Sequence, residues 1–274
     1  MPELPEVETV VRGLREPLIG RTIQGVWCDW SKSIRSADLK AFEARIIGQT
    51  VRSIHRRAKY IVCQLDHDLL VVHLKMTGRL YVVDDEAVTE SDRWAHVRLQ
   101  LDGGKQLRFS DSRKFGFVTL VSTMDEVAPT LGPEPLSDAF TIEGFTAALS
   151  RHRKSIKALL LDQNFLAGVG NIYADESLHM AKIHPQRPAD TLTADEIERL
   201  YGAVRVVLSQ GIEREGASVN WYRKPDGTSG SAQNHFAVYD RTGESCLTCG
   251  SPIEKIRVAQ RGTHYCPICQ SLHH

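Results

Sequence analysis

The chain has 274 residues, 42% of them hydrophobic and 25% charged, and its 34 basic and 34 acidic side chains cancel to a formal net charge of zero. That is the composition of an ordinary globular protein with room for one large or two modest domains. No apolar run approaches the ~20 residues that span a bilayer, and the acidic opening MPELPEVETV lacks the basic and apolar regions of a signal peptide, so a cytoplasmic location is expected.

Residues 5–16 predict a helix, because Val7, Val10, Val11 and Leu14 recur at helical spacing and Pro5 suits a first helical position. Pro17 and Gly20 are expected to end it. From about 21 to 122 the pattern changes to short apolar runs split by turns. TIQGVWC, QTVRSIHRR, KYIVCQL, LLVVHLKM, RLYVV, WAHVRLQL, KQLRFSD and FGFVTLV all read as strands, which predicts an antiparallel sandwich or barrel. LGPEPLSD at 131–138 reads as a boundary. Helices are then expected at 141–151, 155–162, 171–181 and 193–210, the last opened by a capping box of Thr193 and Glu196. Residues 216–235 are polar and rich in Gly and Ser, as a long functional loop would be. Trp221 within it could stack on a base or anchor the loop.

Charge is unevenly spread. Arg52, His55, Arg56, Arg57 and Lys59 crowd one stretch, and Arg151, His152, Arg153, Lys154 and Lys157 another. Each run alone reads as a solvated face; together they favour a phosphate-binding surface.

Cys246, Cys249, Cys266 and Cys269 form two C-x2-C pairs sixteen residues apart, the spacing of a zinc ribbon or finger. Four thiolates suit tetrahedral Zn²⁺ in a closed, structural site. The module is too small to hold a core of its own, so one metal ion is expected to supply its stability. Gln260, Arg261, Gly262 and Thr263 fall on its expected hairpin. Cys28 and Cys63 fit strand patterns as buried hydrophobes.

Position 2 is proline, small enough for removal of Met1 to leave a secondary amine at the chain start. An α-amino group, with a pKa near ~7.7–8 against ~10.4 for lysine, has a larger free-base fraction near neutrality by roughly two orders of magnitude. Such an amine can attack a sugar C1′ and form an iminium, and the adjacent Glu3 can move protons. The positive end of the following helix favours a neutral amine and an ionised carboxylate. Taken alone, a Pro-Glu pair at a chain start marks nothing more than a helix start.

PELPEVETV, HLKMTGRL, DSRKFGF, LGPEPL, GVGNIYADE and QRGTHYCPICQ, in that order over nearly the whole chain, resemble the formamidopyrimidine-DNA glycosylase family. The resemblance implies an α+β protein with an N-terminal helix and antiparallel β-sandwich (1–131), a helix-two-turn-helix domain with the lesion loop (132–236) and a zinc finger (237–274). It implies a monomeric bifunctional glycosylase and lyase in base-excision repair, at work on damaged double-stranded DNA in the cytoplasm and nucleoid of a bacterium. The opening PELPE is similar to the branch that acts on oxidised purines such as 8-oxoguanine. The rivals are the oxidised-pyrimidine preference of the endonuclease VIII branch and a zinc-ribbon DNA-binding protein without catalysis.

Carried over by motif, Pro2 is implied to be the nucleophile, Glu3 the acid/base, Lys59 the proton donor in β-elimination, and Arg261 the finger arginine that binds phosphate and assists δ-elimination. Glu6 belongs to the same opening. His96, Lys114, Arg153 and Asn171 match DNA-binding positions. Met76, Arg113 and Phe115 match the triad that fills the void left by an extruded base; by pattern alone the first and last read as core and Arg113 as a surface charge. His73 reads equally as a core histidine or a neighbour of the site.

Overall fold

In the computed structural model, which describes residues 1–35, 38–219 and 221–272, the opening helix α1 spans Leu4–Leu18. Val7, Val10, Val11, Leu14 and Leu18 share its buried face, and each such side chain contributes about 1.5–3 kcal/mol of burial. Pro17 does not end the helix but sits in its last turn. The chain leaves the helix at Ile19, whose N–H still reaches the Arg15 carbonyl at 3.0 Å. A proline so close to the end removes a single backbone bond, which the packed apolar face outweighs.

The expected strands form two antiparallel sheets. One has the order β1 (Ile23–Cys28), β6 (Ala95–Leu101), β7 (Lys105–Asp111), β5 (Gly78–Asp84); the other runs β2 (Ser53–Arg57), β3 (Tyr60–Gln64), β4 (Leu69–His73), β8 (Phe117–Val121). Alternating residues such as Leu70, Val72, Leu99, Leu107 and Phe109 meet in one core, to which α1 adds its apolar face. This is the predicted sandwich. A short helix, α2 (Leu39–Ile46), interrupts the strand series unforeseen. It buries only Phe42 and Ile46, too few apolar positions to declare a helical period.

The described chain falls into two compact units. Met1–Thr130 groups with Glu215–Ser231, and Leu131–Arg214 with Ala232–His274. No helix among the described residues is long and apolar enough to cross a membrane.

The second unit carries α3 (Ile142–Leu149), α4 (Ile156–Leu160), α5 (Asn171–Ala181), α6 (Ala194–Glu213) and the hairpin β9 (Glu254–Val258) and β10 (Arg261–Tyr265). The Thr193–Glu196 capping box is present: Thr193 N–H donates to the Glu196 carboxylate at 2.8 Å, and Glu196 N–H to Thr193 Oγ1 at 3.3 Å. Lys157 departs from expectation. It is fully buried rather than part of a basic face, and its Nζ lies 2.6 Å from Asp175 Oδ1. The same ammonium donates to Thr263 Oγ1 at 2.7 Å and to the Gly262 carbonyl at 3.2 Å. Asp175 accepts in turn from the His264 N–H at 2.9 Å. One ion pair between α4 and α5 thereby holds β10 in place.

Removing one partner of a buried pair strands the other charge and costs about 3–5 kcal/mol. Lys157→Met should therefore lower denaturant stability of the second unit by that order, and adding Asp175→Leu should recover much of the loss. Equal stability of Lys157→Met and the parent chain in a urea titration would contradict a structural role for the pair.

Candidate active site and nucleic-acid interface

The first unit places Pro2 and Glu3 at the head of α1, both buried, while Met1 is 49% exposed. Glu3 is the N-cap, and Glu6 completes a capping box. The two oxygens of Glu6 are divided. Oε2 accepts from the Glu3 N–H at 2.8 Å and Oε1 from the Ala217 N–H at 2.7 Å, so a single carboxylate joins the chain start to the long loop. The loop's own sequence fits this anchorage. Gly216 has φ +77°, and a Cβ there would stand 3.0 Å from Glu6. Tyr222 is buried in the sandwich core, with its hydroxyl 3.3 Å from the carbonyls of Glu6 and Glu215. Lys224 pairs with Glu215 at 2.9 Å. Tyr222 is thus an anchor, whereas Trp221 is exposed and meets Trp94 edge to face at 6.4 Å.

Lys59 is buried at the turn between β2 and β3, directly after Ala58 at φ +51°. The basic stretch around it is less free than its composition suggests, since Arg56 pairs with Glu8 at 3.3 Å and Arg52 with Asp66 at 2.6 Å. His73, at the end of β4, joins this region. Burial, then Lys75, Lys59 and Arg35, push its pKa down to about 3. Its Nδ1 accepts from the Lys75 N–H at 3.0 Å, so the proton of the neutral ring lies on Nε2. The structure thereby adds to the candidate residues a neutral donor among cations, which the sequence left undecided.

Met76, Arg113 and Phe115 come together and stay exposed. The Arg113 guanidinium lies 4.9 Å from the Phe115 ring centre and 3.3 Å from Met76 Sδ, and Met76 and Phe115 are 44% and 55% exposed. Asp111 builds the turn that presents them. Its buried carboxylate accepts from the N–H groups of Arg113 (3.2 Å), Phe115 (2.8 Å) and Gly116 (2.6 Å) and from the Thr77 hydroxyl. Gly116 is required there, for a Cβ would meet Phe109 at 2.6 Å. Lys114, at φ +58°, sits with its ammonium 4.4 Å from the Trp30 ring centre. His96 occupies a register shift in β6 between Ala95 and Val97, the kind of bulge that re-aims a side chain. Asp29 holds its Nδ1 at 2.8 Å, while Nε2 has no hydrogen-bond partner among the described residues.

In the second unit, Arg153 is 94% exposed and only 3.7 Å from Asp190. Asn171 begins α5 and donates from Nδ2 to the Gly262 carbonyl at 3.0 Å, beside the exposed Arg261 that opens β10 after Ala259 (φ +49°) and Gln260 (φ +62°). Glu176, on α5, accepts from the N–H groups of Ala237, Val238 and Tyr239 at 2.8–3.0 Å and fixes the entry to the finger. Asp111, Asp175 and Glu176 are not among the sequence candidates, and Lys157 is there only as a member of the second basic run; they stand in DSRKFGF, GVGNIYADE and that run, where nothing local marks them as buried.

The four cysteines converge, with all Sγ atoms within 4.8 Å of one another, and fit one tetrahedral zinc ion. Hydrogen bonds from Ser251 hold the Cys249 thiol down to about 6, while burial pushes Cys266 and Cys269 up; a bound cation would remove those protons. Among the described residues, the apolar cluster around the site consists of Val238, Ile253 and three of the cysteines, Cys246, Cys266 and Cys269.

Three family models cover most of the chain: the formamidopyrimidine-DNA glycosylase N-terminal domain over residues 1–118, the H2TH domain of the same enzymes over 131–223, and the zinc finger found in FPG and IleRS over 243–272. A formamidopyrimidine-DNA glycosylase of Herpetosiphon aurantiacus is 48% identical over 99% of this chain and 100% of the relative. One from Enterococcus faecalis is 43% identical over 99% and 98%. Among solved structures, a Lactococcus lactis FPG variant in complex with Fapy-dG-containing DNA superposes with a TM-score of 0.91 at 36% identity, over 98% of this chain and 100% of that one. The FPG protein of Thermus thermophilus gives 0.88 at 41% identity, over 98% of both chains.

Two outcomes follow from the geometry. Asp111→Ala leaves the Phe115 and Gly116 N–H groups without their acceptor, each worth about 1–3 kcal/mol when buried, and leaves the Arg113 N–H only Thr77 Oγ1 at 3.3 Å. Amide exchange at residues 113–116 should accelerate markedly, and unchanged exchange would refute the role of Asp111 in shaping the turn. Stripping zinc should sharply lower amide protection in β9 and β10, because little apolar core remains to hold the hairpin and only β10 keeps its bonds to the Lys157–Asp175 pair. A verified zinc-free protein with both strands still protected would count against a structural metal.

Proposed function

The chain belongs to the formamidopyrimidine-DNA glycosylase family, and on that premise we propose that it excises 8-oxoguanine and ring-opened purines from duplex DNA and then cuts the strand. The observation that carries this reading is the placement of Pro2 and Glu3, buried together at the head of α1 and tied to the loop through Glu6. Removal of Met1 would turn the Pro2 nitrogen into a secondary amine at the positive end of a helix, where its neutral, nucleophilic form is favoured.

In the proposed reaction the Pro2 nitrogen attacks C1′ and loses its proton, and the bond to the base breaks as the base takes up a proton. The C1′–O4′ bond then opens with Glu3 protonating O4′, which leaves C1′ and the Pro2 nitrogen joined as an iminium. The resulting iminium draws electrons from the sugar, so a proton leaves C2′ and the 3′ phosphate departs by β-elimination, with Lys59 as proton donor. δ-Elimination of the 5′ phosphate, assisted by Arg261, leaves a one-nucleoside gap. Met76 and Phe115 are proposed to fill the space of the extruded base and Arg113 to meet its orphaned partner, which offsets part of the few kcal/mol that flipping requires. Lys114, His96, Arg153 and Asn171 are proposed to hold phosphates. Zinc would stabilise the finger that carries Arg261 and takes no part in bond making. The relatives are bacterial proteins, and work on chromosomal DNA would place the chain at the nucleoid.

Borohydride should reduce the iminium and cross-link the protein to 8-oxoguanine duplex, with the sugar mapping to the N-terminal peptide. Glu3→Gln should retain DNA binding yet lose base release by orders of magnitude. A cross-link on Lys59 with Pro2 unmodified would overturn the assigned nucleophile, and a panel on which oxidised pyrimidines are released faster than 8-oxoguanine would overturn the assigned substrate.

A further inference from the structure

His179 stands on α5, three residues after Glu176, and no role assigned so far uses it. It is 7% exposed, and its Nε2 lies 3.6 Å from Cys246 Sγ. Other donors to the cysteine sulfurs come from within the finger, among them Thr248 N–H to Cys246 at 3.4 Å and Cys269 N–H to Cys266 at 3.4 Å. A metal-bound thiolate offers lone pairs and no proton. The proton between the two atoms therefore belongs to the imidazole, and a neutral ring suffices as donor.

We infer that His179 is an outer hydrogen-bond donor to the zinc-bound Cys246 thiolate, through which α5 sets how tightly the finger keeps its metal. The donor withdraws charge from the sulfur and orients it, as outer partners of metal ligands do. A cavity of about 320 Å³ in this unit is lined by His179, Thr248 and Cys269, so a small reagent in it comes up against the cluster beside the imidazole. This inference concerns the metal site alone and stands or falls independently of the catalytic roles proposed above.

The test uses the full-length, zinc-loaded protein. His179→Phe keeps a ring in the space and deletes the donor; His179→Gln restores an N–H. Zinc transfer to a chromogenic chelator and alkylation of Cys246 by iodoacetamide, mapped by mass spectrometry, are the readouts. The expected result is zinc loss from H179F faster by about 10- to 100-fold, with Cys246 alkylated sooner than in the parent and H179Q close to the parent. Parent-like zinc retention and Cys246 reactivity in H179F would overturn the inference, as would equal losses in H179F and H179Q. Should H179F fail to fold, His179→Met provides the donor-free comparison against H179Q, judged by the same two outcomes.

Discussion

The first unit depends on one buried carboxylate. Glu6 is 2% exposed and spends its two oxygens on two backbone N–H groups far apart in the chain, those of Glu3 and Ala217. Charge-assisted bonds of this kind are short and strong because the acceptor has no water to fall back on. Everything near the chain start is referred to it. Glu3 is held at the helix head, Pro2 is positioned by Glu3, Gly216 must be glycine to pass so close, and the Tyr222 hydroxyl lies over the Glu6 carbonyl. Burial, and after it the charge of Glu6, pushes the Tyr222 phenol far up, so it remains a donor. The loop is consequently fixed at its root by buried polar bonds, while Trp221 remains at the surface.

The same economy recurs where other candidate side chains are displayed. Ala58 precedes Lys59, Lys75 precedes Met76, Lys114 lies between Arg113 and Phe115, and Ala259 and Gln260 precede Arg261; all five of these flanking residues have positive φ. Left-handed backbone at non-glycine residues is unfavourable and persists only where surroundings over-determine it. Here the surroundings are identifiable: the Asp111 carboxylate at the 111–116 turn, and the Lys157–Asp175 pair under β10. At the 111–116 turn and before Arg261, strained backbone sets exposed groups in place and buried charges hold it.

This division explains what could be read in advance. The periodicity of Val7, Val10, Val11 and Leu14 and the alternation of the strands are local, and the helix and both sheets follow from them. The cysteine spacing is likewise local. Burial of a charge is not, because it depends on a partner distant in sequence. Lys157 reads as one more member of a basic run until Asp175 and Thr263 are beside it, and nothing local in the 216–235 stretch marks Tyr222 as a core residue over Glu6. That Met76 and Phe115 stand exposed beside Arg113 is not legible from local pattern, which does not distinguish an exposed apolar side chain from a core residue.

If Glu6 organises the reaction centre, its two anchors can be uncoupled by one atom. Glu6→Gln keeps one carbonyl oxygen for one N–H but turns an amide NH₂ toward the other donor. Single-turnover base release from 8-oxoguanine duplex, measured beside strand cleavage at a pre-formed abasic site, tests this directly. The account predicts that base release falls about tenfold or more, the worth of one buried charge-assisted bond, while cleavage of the abasic strand falls less. Base release at the parent rate, in a variant confirmed to be folded, would contradict it.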